Sequence, residues 1–390
     1  MERHLPAPLG TPLYVHLPFC VHKCPYCDFF SVEGAGEDVE GFVDALIEEV
    51  KVRAPRGPRT VFVGGGTPTY LSEAQLERFF GELEVATGFR SLAEEVTVEC
   101  NPESLTAGKA QLMKELGVDR LSIGVQSLDP ETLAFYERPH GPGEALAAFE
   151  TARAAGFERV SIDVIHGAPT EPLGSIRRNL LSLIDLEPDH VSAYGLTYEP
   201  GTPLHARMER GEVVPLDEDA ELDRLEEVDQ LLERSGMRAY EVTNYCLSGQ
   251  ECRHNVNYWS NGPYVGLGPS AVSHVGGRRS ANPRSIARWL TARSDHGLAA
   301  ASAEELGPAE RLGETWWLGL RLTAGVDPER ARATAGWAPA TISTEDPAEA
   351  LARKLVVDGH LELVEGRYRL TRSARPLADH VGRQFLVAPD

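Results

Sequence analysis

The sequence predicts an α/β protein, a partial, TIM-like (βα)6 barrel followed by a smaller helical, winged-helix-like C-terminal domain. Three observations carry that expectation. From residue 13 to about 200, short β-rich runs alternate with helical patterns. Nearly every candidate strand ends in an unusual polar or glycine-rich element. From about residue 305, helical patterns resume and close on a hairpin.

The strand candidates are Leu13–Leu17, Thr60–Val63, Glu95–Cys100, Arg120–Val125, Val160–Ile165 and His190–Tyr194. Between them apolar residues recur at helical spacing: Phe42, Val43, Leu46 and Val50, then Leu76, Phe79, Phe80 and Leu83, later Ile176, Leu180, Leu183 and Ile184. Ser72 with Gln75 three residues on reads as a capping box. Six βα units in series require a parallel sheet, because each parallel strand needs a crossover to return. Periodicity alone does not separate an open doubly wound sheet from a barrel. The strand ends do favour one. The cysteines follow the first strand, Gly64-Gly65-Gly66-Thr67 the second, Glu99 and Asn101 the third and Gln126 the fourth. Asp163 and His166 bracket the end of the fifth, and Tyr198 lies beyond the sixth. Contributions from all six describe a ring-like site, as in barrels whose chemistry gathers at the carboxyl ends.

Residues 203–300 are less regular, with an acidic helix (Asp217–Ser235) and a Gly/Asn-rich stretch around Asn255–Gly268. Further on come helical patterns at Arg311–Leu322, Asp327–Thr334 and Pro347–Val357, then alternation through Leu361–Leu370 around a Glu-Gly turn. The expected division is a core at 1–235, a connecting region at 236–300 and a C-terminal domain at 301–390.

Composition narrows the function. With 38 Lys and Arg against 59 Asp and Glu, the formal net charge is -21, which repels phosphate backbones and argues against nucleic acid. No stretch approaches the roughly 18 apolar residues of a membrane span, and the proline-rich start does not read as a signal peptide. The expectation is therefore a cytoplasmic protein whose six cysteines are thiols or metal ligands rather than a disulfide framework.

The strongest motif is Cys20-Val-His-Lys-Cys24-Pro-Tyr-Cys27. Three soft thiolates on one loop can ligate three irons of a cubane cluster and leave a fourth open to a cofactor. The alternative is a zinc knuckle, for which His22 inside the loop is a poor fourth ligand. Gly64–Thr67 either lets backbone amides approach a ligand or makes a tight βα corner. His254-Asn255-Val-Asn-Tyr258-Trp259 places a possible axial heme ligand, amides and two large aromatics within six residues. The plain alternative is a capped turn with aromatics in the core. Cys246 and Cys252 have no compact zinc spacing with His254.

Cys-x-x-x-Cys-x-aromatic-Cys after a strand resembles the signature of radical S-adenosylmethionine (SAM) proteins. The wider Tyr14-Val-His-Leu-Pro-Phe-Cys20…Cys27-Asp-Phe29 is similar to the oxygen-independent coproporphyrinogen III oxidase-like family, over residues 13 to about 370. The resemblance implies a 4Fe-4S cluster on Cys20, Cys24 and Cys27. Its open iron would bind the amino and carboxylate groups of SAM and supply the electron for reductive cleavage. It also implies SAM contacts at Tyr14, Tyr26, Gly65, Gly66, Thr67, Glu99, Gln126, Arg138 and Asp163, with weaker ones at Thr197 and Val272. Chemically, an Arg suits the SAM carboxylate, and a carboxylate or amide suits ribose hydroxyls.

His254-Asn255-x-x-Tyr258-Trp259 resembles a motif of the family's heme-chaperone branch, which makes these four residues candidates for heme contact. Two departures from the family's oxidase favour that branch. Phe29 stands where the oxidase carries a fourth cysteine, and the chain begins only a few residues before its first strand. The branch implies heme as ligand, client hemoproteins such as respiratory-chain subunits, membrane contact only through clients, and a cluster-linked homodimer. The other expectation is coproporphyrinogen III dehydrogenase. No catalytic residue is assigned.

Overall fold

A computed structural model describes residues 7–294, 302–338 and 346–386. The first six strands are β1 (Leu13–Leu17), β2 (Thr60–Gly65), β3 (Glu95–Cys100), β4 (Arg120–Gln126), β5 (Arg159–His166) and β6 (His190–Gly195). All pair in parallel, each beside its predecessor in sequence. A doubly wound sheet would reverse its strand order at a switch point. This order never reverses, so the chain winds in one direction, as a barrel does. The ambiguity left by periodicity is thereby removed.

The crossovers are α1 (Val39–Arg53), α2 (Glu73–Thr87), α3 (Ala107–Glu115), α4 (Pro142–Ala154) and α5 (Leu173–Ile184), with α6 (Glu218–Arg234) after β6. Ser72 and Gln75 form the reciprocal cap that opens α2. Asp217, expected inside the acidic helix, instead caps it by accepting from the Ala220 amide.

Each strand carries two different faces at period two. Leu13, Val15, Leu17, Val61, Val63, Val98, Leu121, Ile123, Val160, Ile162 and Val191 form one core with the apolar stripes of the helices. Each such burial contributes about 1.5–3 kcal/mol. The alternate positions are also buried but polar: His16, Thr97, Glu95, Ser122, Ser161, His190 and Ser192. They bond to one another, as when Ser161 meets the His190 ring at 2.8 Å. A sheet with one apolar and one polar buried face has a polar interior.

The connecting region adds to both flanks of this sheet. β7 (Asn244–Cys246) lies antiparallel to β6. After α7 (Arg253–Trp259), β8 (Val265–Leu267) runs parallel to β1 on the side away from β2. Trp289 is buried in the main core. The stretch expected as irregular thus contains sheet strands, each only three residues long. A small antiparallel sheet follows, of β9 (Val272–Val275), β10 (Arg278–Ala281) and β11 (Ser302–Glu305).

The last part has α8 (Pro308–Gly319), α9 (Pro328–Ala335), α10 (Pro347–Val357) and the hairpin β12 (Leu361–Val364) and β13 (Arg367–Leu370). Val326 bridges Tyr368, and Trp316 stacks on Phe385 in a second, separate core. The expected boundary between residues 300 and 301 lies outside the described residues.

Candidate functional site

The cysteine loop is framed by backbone. Phe19–Cys20 pairs in parallel with Val32–Glu33, and Lys23 Nζ donates to the Ser31 carbonyl at 2.9 Å. The Leu204 amide reaches across to the Pro25 carbonyl at 2.9 Å. Cys24 is buried, while Cys20 and Cys27 are half-buried. Burial pushes the Cys20 thiol up to about 11 and raises Cys27, and the neighbouring thiols are close enough to add to both. Among the described residues, no three Cys, His, Asp or Glu side chains converge on a point fit for a single metal ion. Three thiols within electrostatic reach of one another suit a polynuclear centre, one thiolate per iron. His22 faces Glu33 instead, at 2.9 Å.

Behind the loop runs a chain of hydrogen bonds. Arg138 donates from Nη1 to Cys24 Sγ at 3.3 Å, and from Nη2 to Asn101 Oδ1 at 2.9 Å and the Gly124 carbonyl at 3.0 Å. Asn101 Nδ2 donates to Thr67 Oγ1 at 2.9 Å, and that hydroxyl lies 3.6 Å from Cys20 Sγ. Two of the three thiols are joined through Arg138, Asn101 and Thr67. Arg138 Nε is buried without a hydrogen-bond partner among the described residues. Asn101 is the member that sequence reasoning noticed at a strand end but gave no role.

The glycine loop differs from expectation in one respect. Its amides are taken: Gly65 N–H donates to Glu99 Oε2 at 3.0 Å, Gly66 to the Leu17 carbonyl and Thr67 to the Phe19 carbonyl, both at 2.7 Å. They hold the cysteine loop and are not free to cradle a ligand. Glycine is required here. A Cβ on Gly66 would sit 2.7 Å from the Leu17 carbonyl oxygen, and Gly65 has φ +104°. Gln126 also adopts a left-handed φ of 64°, at a register shift in β4.

In the polar interior, Ser122 donates to both Asp163 carboxylate oxygens at 3.0 and 3.1 Å. Burial raises Asp163, and burial with the nearby Asp163 charge pushes Glu99 up to about 7. The fold thus favours neutral Glu99. As pH rises above 4.5, the unfolded chain ionises freely and the folded chain does not, so stability falls until about pH 7. The loss from this group amounts to about 3 kcal/mol. Glu99→Gln, which keeps an acceptor for Gly65, is expected to match wild type in urea at pH 5 and exceed it at pH 8. Parallel pH profiles of the two proteins would refute the shift.

A cavity of about 560 Å³ opens between β1, α7, β9 and α8, bordered by the cysteine loop's far end. Of the expected residues, Tyr14, Tyr258, Trp259 and Val272 line it; His254 and Asn255 do not. The reason is local. Glu95 accepts from the Arg253 and His254 amides, both at 3.0 Å, and so fixes the start of α7. His254 is then fully buried, with Nδ1 2.8 Å from Thr60 Oγ1 and Nε2 2.9 Å from the Tyr258 hydroxyl. Expected at the ligand, it braces Tyr258 from behind. Asn255 is half-buried on α7.

Tyr26 packs edge-on against Tyr136, and Thr197 is exposed after β6. Cys252 is buried against Glu95, and Cys246 is buried on β7. His16, His274 and Trp317 also line the cavity and were missed, and Phe29, singled out only as a departure from the oxidase, joins them. The polar alternation of β1 signalled His16; a lone His between Ser273 and Val275 gave no such signal for His274.

The radical SAM superfamily model matches residues 14–181. The chain is similar to the heme chaperone HemW of Bacillus subtilis, 35% identical over 321 residues, covering 81% of this chain and 85% of that protein. It is likewise similar to the heme chaperone HemW of Mycobacterium tuberculosis, 36% identical over 388 residues, covering 97% and 95%. Among solved structures, the coproporphyrinogen III oxidase HemN of Escherichia coli superposes with TM-score 0.83 at 23% identity, covering 99% of this chain and 92% of that one. That last likeness speaks to the fold.

Proposed function

The chain belongs to the radical SAM superfamily and, within it, to the HemW family, and on that premise we propose that it is a heme chaperone. In this reading it binds heme and passes it to client hemoproteins such as respiratory-chain subunits. It carries a 4Fe-4S cluster on Cys20, Cys24 and Cys27 and binds SAM. The cavity carries the reading: it is walled by Tyr258, Trp259 and Phe29 and borders the cysteine loop. Its volume falls within the roughly 300–1,000 Å³ of sites that enclose a small molecule.

The cluster with SAM bound supplies one-electron chemistry; the chain supplies the cradle. Arg138 has one N–H without a partner among the described residues, which suits the SAM carboxylate. With the Gly65, Gly66 and Thr67 amides engaged, carbonyl oxygens are left to accept from the SAM amino N–H groups. Glu99, Gln126 and Asp163 suit ribose hydroxyls, with Tyr14, Tyr26, Thr197 and Val272 around them. In this reading residues 1–235 are the cluster and SAM core, 236–300 the connecting region and 301–390 the winged-helix-like domain, and residues of all three line the cavity. No helix among the described residues is long and apolar enough to cross a membrane. A cytoplasmic protein, paired as a homodimer near its clusters, fits the reading.

The competing reading is coproporphyrinogen III dehydrogenase, favoured by the apparent completeness of the SAM cradle. Against it stands Phe29, an apolar ring on the cavity where the family's oxidase has a thiol. The test pairs two measurements on anaerobically purified protein. Hemin titration is expected to give saturable, tight binding, and coproporphyrinogen III with SAM and reductant no product. Robust SAM-dependent formation of protoporphyrinogen IX would sink the chaperone reading.

A further inference from the structure

We infer that the aromatic-walled cavity is the heme seat and that His274, not His254, ligates the iron; the inference rests on the heme-binding reading above. Three histidines lie in or behind the cavity wall, and their hydrogen bonds separate them. His16 has both ring nitrogens engaged, with the Tyr14 hydroxyl at 2.9 Å and the Phe30 carbonyl at 2.7 Å. His254 is likewise engaged on both sides and lies behind the wall. For either one, iron ligation breaks a buried hydrogen bond and leaves its partner unsatisfied. The His274 imidazole has no hydrogen-bond partner among the described residues and lines the cavity.

Its position is fixed by backbone. His274 exchanges both amide and carbonyl bonds with Tyr264, at 2.8 and 2.9 Å. Strand alternation puts Val272 and His274 on the cavity side of β9, while Ser273 faces away and meets the Gly266 amide at 2.9 Å. A ligand held on a strand keeps its direction better than one on a loop.

The remaining wall matches the other parts of the macrocycle. The Trp259 and Trp317 rings offer flat apolar area, and both indole N–H groups are buried without a partner among the described residues. Arg279 stands opposite His274 across the strand pair, and exposed Arg284 lies at the rim. Each now pairs with carboxylates of this chain, Arg279 with Glu304 and Glu314, Arg284 with Asp28. Propionates can take the places of Glu304 and Asp28, whose carboxylates are exposed and return to water, while the largely buried Glu314 stays on Arg279.

The test uses the full chain, hemin and metal-free protoporphyrin IX. In wild type, resonance Raman of the ferrous complex is expected to show an iron–imidazole stretch. His274→Ala should lose that stretch and weaken hemin about tenfold or more, with protoporphyrin IX affinity unchanged within about twofold. His274→Met guards against a folding failure, since it fills the space and must exchange the imidazole signature for a thioether one. His254→Ala should weaken both porphyrins by the same factor, through Tyr258, and keep the stretch. Survival of the stretch in both His274 variants, or its loss in His254→Ala alone, overturns the assignment. Failure of wild type to bind hemin at all sinks the chaperone reading itself, a separate result.

Discussion

Cys24→Ala protein, purified anaerobically and reconstituted with iron and sulfide, is expected to lack the brown colour and visible absorption of a cluster while keeping wild-type circular dichroism. Two thiols remain in that variant, and a cubane held by two side chains loses a third of its protein anchors. The fold has no comparable dependence. Cys24 is buried but is not among the side chains of the main hydrophobic core. The loop around it is held by the Phe19–Cys20 and Val32–Glu33 pairing, by Lys23 and by the Leu204 amide. Arg138 loses one acceptor and retains Asn101 and the Gly124 carbonyl. A stability change of about 1 kcal/mol or less follows. A variant that keeps its cluster refutes the ligand assignment.

Glu49→Ala is expected to have the largest effect on stability, about 3–5 kcal/mol, because it strips a buried carboxylate from the charge and donors gathered round it. Glu49 is 1% exposed on α1. It accepts from Arg53, from Asn282 Nδ2 at 3.1 Å, from the Gly268 amide at 2.8 Å and from Trp289 Nε1 at 3.0 Å. Three of those donors belong to the connecting region, so one side chain pins that region to the barrel. Truncation leaves Arg53, 8% exposed, as a charge with fewer partners. Urea unfolding measures the loss; a change under about 1 kcal/mol means that water already serves these donors.

Neither Glu49 nor its partners stood out in the sequence, and the reason is general to this fold. Periodicity found β1 to β6 and α1, α2 and α5 because each repeats its apolar signal over several residues. β7 and β8 have three residues apiece, too few to show a period, and glycine interrupts β8. The cysteine loop was legible as chemistry because its three thiols are near in sequence. Arg138, Asn101 and Thr67 come from three separate crossovers, and only folding makes them one chain of bonds. Resemblance supplied Arg138 and Thr67, while Asn101 was named only as a strand-end residue. His254 and Tyr258, four positions apart, share one face of α7, and burial one turn deeper, which the sequence does not reveal, is what keeps His254 from lining the cavity. Tyr258 faces the cavity and His254 supports it from the interior.

The place of β1 between β2 and β8 has a consequence for how the protein is made. Leu13 pairs with Val61 on one side and with Val265 on the other, the latter about 250 residues later in the chain. At roughly 5–20 residues per second, that second neighbour leaves the ribosome about 12–50 s after the first strand. Throughout that interval Leu13–Leu17 presents an open, apolar edge, the kind that pairs with other chains. The cysteine loop directly follows this strand, and its own frame is complete once Leu204 has been made, well before Val265 covers the edge. Translation stalled before Leu267 is expected to leave that edge of β1 open to pairing with other chains.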